Sequence, residues 1–174
     1  MDFSRFDKEI DKAQLEKDYK EAKENGGLDG FDEAPKGKYT VKIESMEIKP
    51  TKSDGSPMFS CMCRVVEAID DDDNEKAIDY VKRFKKKKPC LFFNRKIYGN
   101  KVSDNWNDGK AIATVTGWLA KLELETDTEF TTYSEFAEAV LDAMEEVEDC
   151  GLLLDIEYDP KAFNPIKILE VFEE

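Results

Sequence analysis

The stretch GKYTVKIESMEIKPTKSDGSPMFSCMCRVVEA, residues 37–68, decides the fold. Its first part has a period of two, since Tyr39, Val41 and Ile43 point one way and the polar side chains between them point the other. That alternation predicts a β-strand with one wet face. Residues 53–57 are rich in turn formers and lead into a second β-like run, so the stretch predicts a hairpin.

Three more strands are predicted towards the carboxyl end of the chain. Residues 90–98 alternate again, and residues 152–158 and 166–172 are β-like runs separated by Asp-Pro and Asn-Pro turns. The acidic end, residues 169–174, resembles the tails by which bacterial single-strand binders recruit partners. Because it continues directly from a predicted strand without a linker, we interpret it as the end of that strand.

Two helices are predicted between the third and fourth strands. Apolar residues at helical spacing indicate a helix over about residues 108–123, with Asp108 as its cap. Thr132, followed by Glu135 three residues later, is typical of a capping box that opens a second helix. Residues 78–84 are ambiguous between helix and strand.

The order of these elements predicts a mainly β, α+β fold. Five strands with helices between the third and fourth match a small OB-like Greek-key barrel, although a generic α+β sandwich gives the same order. Residues 3–24 predict a marginal helix, and the Gly-rich run 25–30 predicts a linker. We therefore expect an N-terminal helical arm with its linker over residues 1–30 and an OB-like domain over residues 31–174.

Composition excludes several classes of function. The 174 residues contain no His, which excludes Ser-His-Asp and Cys-His catalysis. The four cysteines lack zinc spacing and suggest a reducing compartment. We expect no enzyme, no cofactor and no metal; a divalent cation at Asp70–Asp73, or a carboxylate-and-metal nuclease, is a distant alternative. Neither a signal peptide nor a membrane span is expected, so the predicted location is cytoplasmic.

Charge is segregated along the chain. Nine basic and no acidic residues lie between Tyr80 and Lys101, although the net charge of the whole chain is −14. Five aromatic residues are interleaved with those cations. Cations that neutralise phosphates beside rings that stack on bases are what a groove for single-stranded nucleic acid requires. Residues 80–101 therefore predict a nucleic-acid interface.

The parity of the third strand separates candidate site residues from the core. Leu91, Phe93 and Ile97 share one face and look like core, whereas Phe92 and Tyr98 share the other. The alternative is a solvated lysine loop with the two rings covered by the N-terminal arm. Trp106 is a weaker candidate, equally able to stack on a base or to pack at a helix start. The predicted nucleic-acid-binding residues are Lys82, Arg83, Lys85, Lys86, Lys87, Lys88, Phe92, Arg95, Lys96, Tyr98 and Trp106.

Several blocks of the sequence resemble a known family. They are APKGKYTVKIE (residues 34–44), EIKPTKSDGSPM (47–58), YSEFA (133–137), AFN (162–164) and EVFE (170–173). They are similar to a family of phage and prophage proteins that long carried only an unknown-function label. The resemblance implies a place in a replication or recombination module and single-stranded DNA binding on an OB-like fold. It assigns no binding residue, because the lysine run and the loop after it depart from the family's pattern.

Two functional hypotheses follow. The first is a phage or prophage single-stranded DNA-binding protein in the bacterial host cell, with DNA and replication or recombination proteins as partners and with homo-oligomer formation left open. The second is an acidic interaction factor, a DNA mimic or recruitment protein, that engages a basic replication or host protein through its negative surface.

Overall fold

Five antiparallel strands form one open sheet in the computed structural model, which describes residues 4–5, 11–24, 33–100, 103 and 105–174. The architecture is mixed α+β. The strands are β1 (Gly37–Pro50), β2 (Pro57–Ala68), β3 (Cys90–Lys96), β4 (Leu152–Tyr158) and β5 (Ile166–Glu173). The helices are α1 (Lys12–Glu24), α2 (Glu75–Lys82), α3 (Asp108–Ala120) and α4 (Tyr133–Cys150).

The strands lie in the order β3-β2-β1-β4-β5, so that β1 is central and β3 and β5 are the edges. Each pair is antiparallel, with Ile43 of β1 opposite Cys63 of β2 and Val41 opposite Leu154 of β4. The predicted hairpin is confirmed. All five predicted strands are present, with ends within two residues of the expected positions.

The predicted OB-like barrel is not confirmed, because the sheet is not closed. In the described residues β3 and β5 do not pair with each other. Trp118 of α3 lies between these edges, donating its indole N–H to the carbonyl oxygen of Ile166 on β5 at 3.1 Å. Its ring packs edge-on against Phe93 of β3, with centroids 5.4 Å apart. A helix side chain therefore occupies the seam where strand-to-strand hydrogen bonds would close a barrel.

Helix α2 lies between β2 and β3 and is an addition to the predicted order of elements. It overlaps residues 78–84, whose sequence was ambiguous between helix and strand. A 3₁₀ turn, Asp72–Asn74, leads into it. The buried Asn74 amide donates to the carbonyl oxygens of Lys38 and Ile69 at 2.7 and 2.8 Å, and its carbonyl accepts from the Lys38 N–H at 2.8 Å. These contacts tie the start of α2 to the start of β1.

The core lies between one face of the sheet and helices α2, α3 and α4, as the alternation predicts. Tyr39, Val41 and Ile43 are buried, and so is the apolar stripe of α4 from Phe136 to Val147. The Thr132 hydroxyl caps α4 by accepting from the Glu135 N–H at 3.1 Å. The helices therefore pack against one face of the sheet and leave the opposite, outer face uncovered by them.

The predicted cap of α3 is wrong by one residue. The Asn107 side chain caps this helix by accepting from the Lys110 N–H at 3.0 Å. Asp108 instead accepts from the backbone N–H groups of Gly99 and Asn100, at 3.1 and 2.7 Å. Burial acts to raise the pKa of Asp108, but the bonds from Asn100 and Gly99 outweigh it and lower that pKa. Asp108 therefore orders the loop that follows β3.

The predicted arm is described only in part. Helix α1 is present, whereas the Gly-rich run 25–30 lies outside the described residues. Across residues 4–5, 11–24, 33–100, 103 and 105–174, none of the helices combines the length and apolar character needed to cross a bilayer.

Candidate nucleic-acid interface

The outer face of β2 and β3 is the candidate interface. Because side chains alternate, every second residue of each strand points away from the core. Opposite one another on this face are Met58 and Lys96, Ser60 and Asn94, Met62 and Phe92, and Arg64 and Cys90. None of these eight side chains is a carboxylate, and the Ser60 hydroxyl donates across the strands to Asn94 at 2.8 Å.

Phe92 and Tyr98 are the two exposed rings of this region. Each is 51% exposed, whereas Leu91, Phe93 and Ile97 are buried. Tyr98 lies just beyond β3 and meets the Tyr133 ring edge-on, with centroids 5.8 Å apart. The predicted division between core and outer face is confirmed, and about half of each ring is exposed to solvent.

The basic residues before β3 divide into two groups. Lys82, Arg83 and Lys85 are exposed, and among the described residues their side chains make no ion pair or hydrogen bond. Lys86 and Lys87 are also exposed but have contacts of their own. Lys88 is half-buried, and its ammonium donates to the carbonyl oxygens of Phe84 and Val81 at 2.9 and 3.4 Å. Lys88 therefore satisfies the carboxyl end of α2.

A shallow groove of about 450 Å³ opens beside the amino end of β3. Arg64, Lys87, Lys88 and Phe92 are among the residues that line it. Arg64 is held in place, since its guanidinium lies 2.7 Å from Glu44 and donates to the Lys88 carbonyl oxygen at 2.7 Å. The groove thus joins the basic loop, defined as residues 82–88, to the outer face of β3.

Lys96 and Arg95 mark the opposite end of β3. The Lys96 ammonium lies 4.0 Å from the Asp54 carboxylate in the β1–β2 turn. Arg95 lies opposite Phe59, on the core side of the ladder, and donates to the Phe163 carbonyl oxygen and the Asn164 side chain at 2.5 and 2.8 Å. Burial lowers the pKa of Arg95. Lys96 is at the predicted face, whereas Arg95 reaches across to the β4–β5 loop.

Trp106 lies at that same end and is half-buried. Its indole N–H donates to the Asn100 side chain at 3.1 Å. The ring meets Phe163 at 89°, with centroids 4.8 Å apart. Phe163 is 60% exposed, and no charge or strand pattern singled it out; the only signal for it is its place in the AFN block between two prolines.

The thiols show no sign of activation. Cys61 and Cys63 are buried, with sulfur atoms 3.7 Å apart, and the hydrogen bond between them, together with burial, raises the pKa of Cys61. Burial raises the pKa of Cys90 to about 11 and also raises that of Cys150. In the described part of the chain, no three His, Cys, Asp or Glu side chains are grouped so as to hold a metal ion.

Negative charge lies in a different part of the chain. Residues 122–160 contain fourteen acidic residues and neither Lys nor Arg. Seven of the fourteen belong to α4, whose exposed face carries Glu138, Asp142 and Glu145 around an exposed Leu141. The eight side chains paired between β2 and β3 include no carboxylate, although Glu44 of β1 contacts Arg64 among them.

Comparison with known proteins gives one match. The model of a family described as "Protein of unknown function (DUF669)" matches residues 17–149. Neither a curated protein nor a solved structure matches the chain. The matched residues include the first three strands, the basic loop and nearly all of α4.

Proposed function

The chain belongs to the family described as protein of unknown function (DUF669), and from that premise we propose that it binds single-stranded DNA. It acts as a phage or prophage protein of replication or recombination in the host cytoplasm, and not as an enzyme. One observation carries the proposal: the half-exposed Phe92 ring lies among eight paired β2–β3 side chains that include no carboxylate, between the exposed cations before β3 and Lys96.

The arrangement suits a flexible polyanion with exposed bases. A ring on a strand face stacks on any base, at about 1–3 kcal/mol per base, without reading sequence. Lys82, Arg83 and Lys85 supply unpaired positive charge at one end of β3. At the other end lies Lys96, whose ammonium is 4.0 Å from the Asp54 carboxylate. Duplex DNA hides its base faces within the stack, so this chemistry favours single strands.

We further propose that the fold is OB-like. The strand order places β1 between β2 and β4 with β3 and β5 outermost, which is the order of an OB barrel opened at one seam. OB folds are themselves partly open, and they bind oligonucleotides on strands 2 and 3 and on the β1–β2 and β4–β5 loops. The surface proposed here lies at the corresponding place.

The first test is fluorescence anisotropy of a labelled poly-dT oligonucleotide, with a duplex of equal length as control. We expect binding to the single strand that weakens as salt rises, since the log-log slope is about −0.7 per neutralised phosphate. Absence of binding to the single strand even at low salt would disprove the proposal. Equal affinity for the duplex and for the single strand would exclude base stacking as the basis of DNA binding.

Charge reversal locates the interface. A variant with Lys82, Arg83 and Lys85 changed to Glu should lose most of its affinity, because these side chains are exposed and make no structural contact. Lys88 stays unchanged, since its ammonium holds α2. The matched control changes the exposed Lys12, Lys17 and Lys20 of α1 to Glu, which alters net charge equally; it should bind nearly as the wild type does.

The second candidate function is favoured by the acidic segment 122–160. A basic protein partner is the occupant that this surface fits, with Leu141, 53% exposed among carboxylates, as its apolar contact. Under that function, the α1 and basic-loop reversals both leave partner binding intact. Changing Glu138, Asp142 and Glu145 to their amides would abolish partner binding instead.

A further inference from the structure

A second aromatic surface lies at the carboxyl end of β3, on the loop that joins β4 to β5. Phe163 belongs to this loop, between Pro160 and Pro165, and its side chain is 60% exposed. It is more exposed than Phe92 or Tyr98. A large ring exposed to this degree forms a patch that a partner is expected to cover, particularly when its surroundings hold it in place.

Arg95 holds Phe163 in place from the β3 side. The guanidinium carbon lies 4.1 Å from the Phe163 ring centroid, and the same side chain donates to the Phe163 carbonyl oxygen and the Asn164 amide oxygen. Stacking and hydrogen bonding by one side chain fix both the ring and its backbone. The Nε atom of Arg95 is buried and makes no hydrogen bond within the described residues.

The charge of Arg95 is not neutralised by this arrangement. Both of its hydrogen-bond acceptors are neutral oxygens, its other neighbours include the Phe93 and Trp106 rings, and none of the ion pairs among the described residues involves it. An exposed ring beside an uncompensated guanidinium combines a stacking surface with a phosphate attraction. Trp106 adds a perpendicular ring 4.8 Å away.

Resting on the proposed function, we infer that Phe163 is a second base-stacking residue of the single-stranded DNA site. Arg95 acts as the positioning residue that holds it, and Trp106 forms the adjoining wall. The bound strand then passes from Phe92 on the outer face around the edge strand β3 to Phe163 on the β4–β5 loop, since Arg95, which holds Phe163, is on the opposite side of β3 from Phe92. About three strand residues separate Phe92 from Arg95, a span of about 10 Å.

The test compares substitutions at Phe163 by anisotropy with a labelled dT oligonucleotide of about fifteen nucleotides. Phe163→Leu keeps an apolar side chain against Arg95 and Trp106 but removes the flat ring, so affinity should fall at least about fivefold. Phe163→Tyr keeps an aromatic ring at this position and should bind single-stranded DNA as the wild type does. Phe172→Leu, at the exposed Phe172 of β5, is the matched control and should bind normally.

A second readout uses the two tryptophans. Trp106 lies against Phe163, whereas Trp118 is buried in the seam. Single-stranded DNA should therefore quench tryptophan fluorescence in the wild type and should lose most of that effect in Trp106→Phe. Thermal unfolding of every variant confirms that it is folded.

The outcomes separate this inference from the function on which it rests. If the wild type binds, Phe92→Ala weakens binding and Phe163→Leu does not, the second stacking position is wrong and the proposed function survives. An equal loss in Phe163→Leu and Phe163→Tyr would also overturn it, since the tyrosine keeps the ring. If the wild type does not bind single-stranded DNA, both proposals fail together.

Discussion

Phe92 stands on the outer face of β3, opposite Met62 across the ladder and with about half of its surface exposed. We predict that Phe92→Ala weakens binding to single-stranded DNA by about 1–3 kcal/mol, because a stacked base loses its ring. Stability should change little, since the ring adds almost nothing to the core. Anisotropy titrations at one salt concentration measure the first effect, and thermal unfolding measures the second.

The matched control is Phe172→Ala. Phe172 is exposed on the same side of the sheet but belongs to the opposite edge strand, where Glu170 and Glu173 are its neighbours. Its removal should leave DNA affinity within about twofold of the wild type. An equal loss of affinity in both variants would show that exposed rings contribute to DNA binding wherever they lie. That result would contradict a defined binding site on β2 and β3.

Gly37 is a residue at which one methyl group has no room. A Cβ atom added there would lie 2.6 Å from the Asn74 side-chain oxygen and 2.8 Å from the Ala77 Cβ atom. Gly37→Ala must therefore push α2 away from β1, and we expect it to lower the free energy of unfolding by about 1–3 kcal/mol. Urea unfolding followed by circular dichroism measures the change.

Gly117 supplies a control of opposite sign. It lies in α3 with nothing within 4 Å of an added Cβ atom, so Gly117→Ala should stabilise the protein by up to about 1 kcal/mol through helix propensity alone. A shift of the urea unfolding midpoint in the same direction in both alanine variants would contradict the argument that a side chain at residue 37 disrupts the packing of α2 against β1.

Single residues also show where sequence reasoning stops. The period of two identifies Phe92 and Tyr98 as exposed and Phe93 as core, because parity is a local property of a strand. The role of Lys88 as the cap of α2 and the reach of Arg95 to Phe163 depend on tertiary contacts that no local pattern encodes. Asp108 and Asn107 are both good capping types, and only the loop geometry selects between them.

The turn between β1 and β2 depends on one carboxylate. Asp54 accepts from the Ser56 hydroxyl and from the Thr51 hydroxyl, both at 2.6 Å, and from the Ser56 N–H at 3.0 Å. These bonds, with a smaller contribution from Lys96, hold the pKa of Asp54 well below its ordinary value of 3.8. The unfolded chain therefore takes up the proton more readily than the folded one does.

The pH dependence follows from the sign of that shift. The stabilisation from Asp54 is fully present above pH about 5 and is lost progressively as the pH falls below about 4. Asp54→Asn should be less stable than the wild type at pH 7, with the gap narrowing towards pH 3. Urea midpoints at pH 7, 5, 4 and 3 measure it; Ser53→Ala, in the same turn, should keep the wild-type slope. Parallel decline of wild type and Asp54→Asn would contradict the argument.

At the scale of elements, strands were easier to predict than helices. All five strands carry alternation or turn signals, and the connections on either side of each strand contain Gly, Pro or Asp. Helix α2 has only eight residues, and its helical character depends on the anchoring of Asn74 to β1. Short segments of this kind are decided by tertiary contacts, which is why residues 78–84 stayed ambiguous.

Closure of the sheet is a property of the whole molecule that element order does not contain. The same five strands and helices are compatible with a closed barrel and with the open sheet observed. The choice depends on whether β3 and β5 meet, and Trp118 lies in the way with its indole N–H bonded to Ile166. Trp118 belongs to the buried stripe of α3, but its position in the seam follows only from the packing of that helix.

The whole molecule also combines a basic segment with a strongly acidic remainder. The net charge of −14 repels a polyanion at long range, while the cations of residues 82–88 attract it at short range. These two effects respond differently to salt, because exposed charges farther apart than about 10 Å are largely screened at 0.1 M. The acidic face of α4 is therefore expected to oppose DNA binding mainly at low salt.

Neutralising that face tests this expectation. Changing Glu138, Asp142 and Glu145 of α4 to their amides should raise the affinity for single-stranded DNA about two- to tenfold at about 20 mM salt and leave it almost unchanged at about 300 mM. The control is Leu141→Ala, which alters the same helix face without altering its charge and should bind DNA as the wild type does.

Each result assigns the acidic face a role. A gain of affinity confined to low salt means that α4 repels DNA through space and that its carboxylates do not contact the bound strand. A gain that persists at high salt would contradict the long-range argument, since screened charges cannot act over that distance. A loss of affinity in the neutralised variant would reverse the proposed geometry, because it would require α4 to stabilise the surface that β2 and β3 present to the strand.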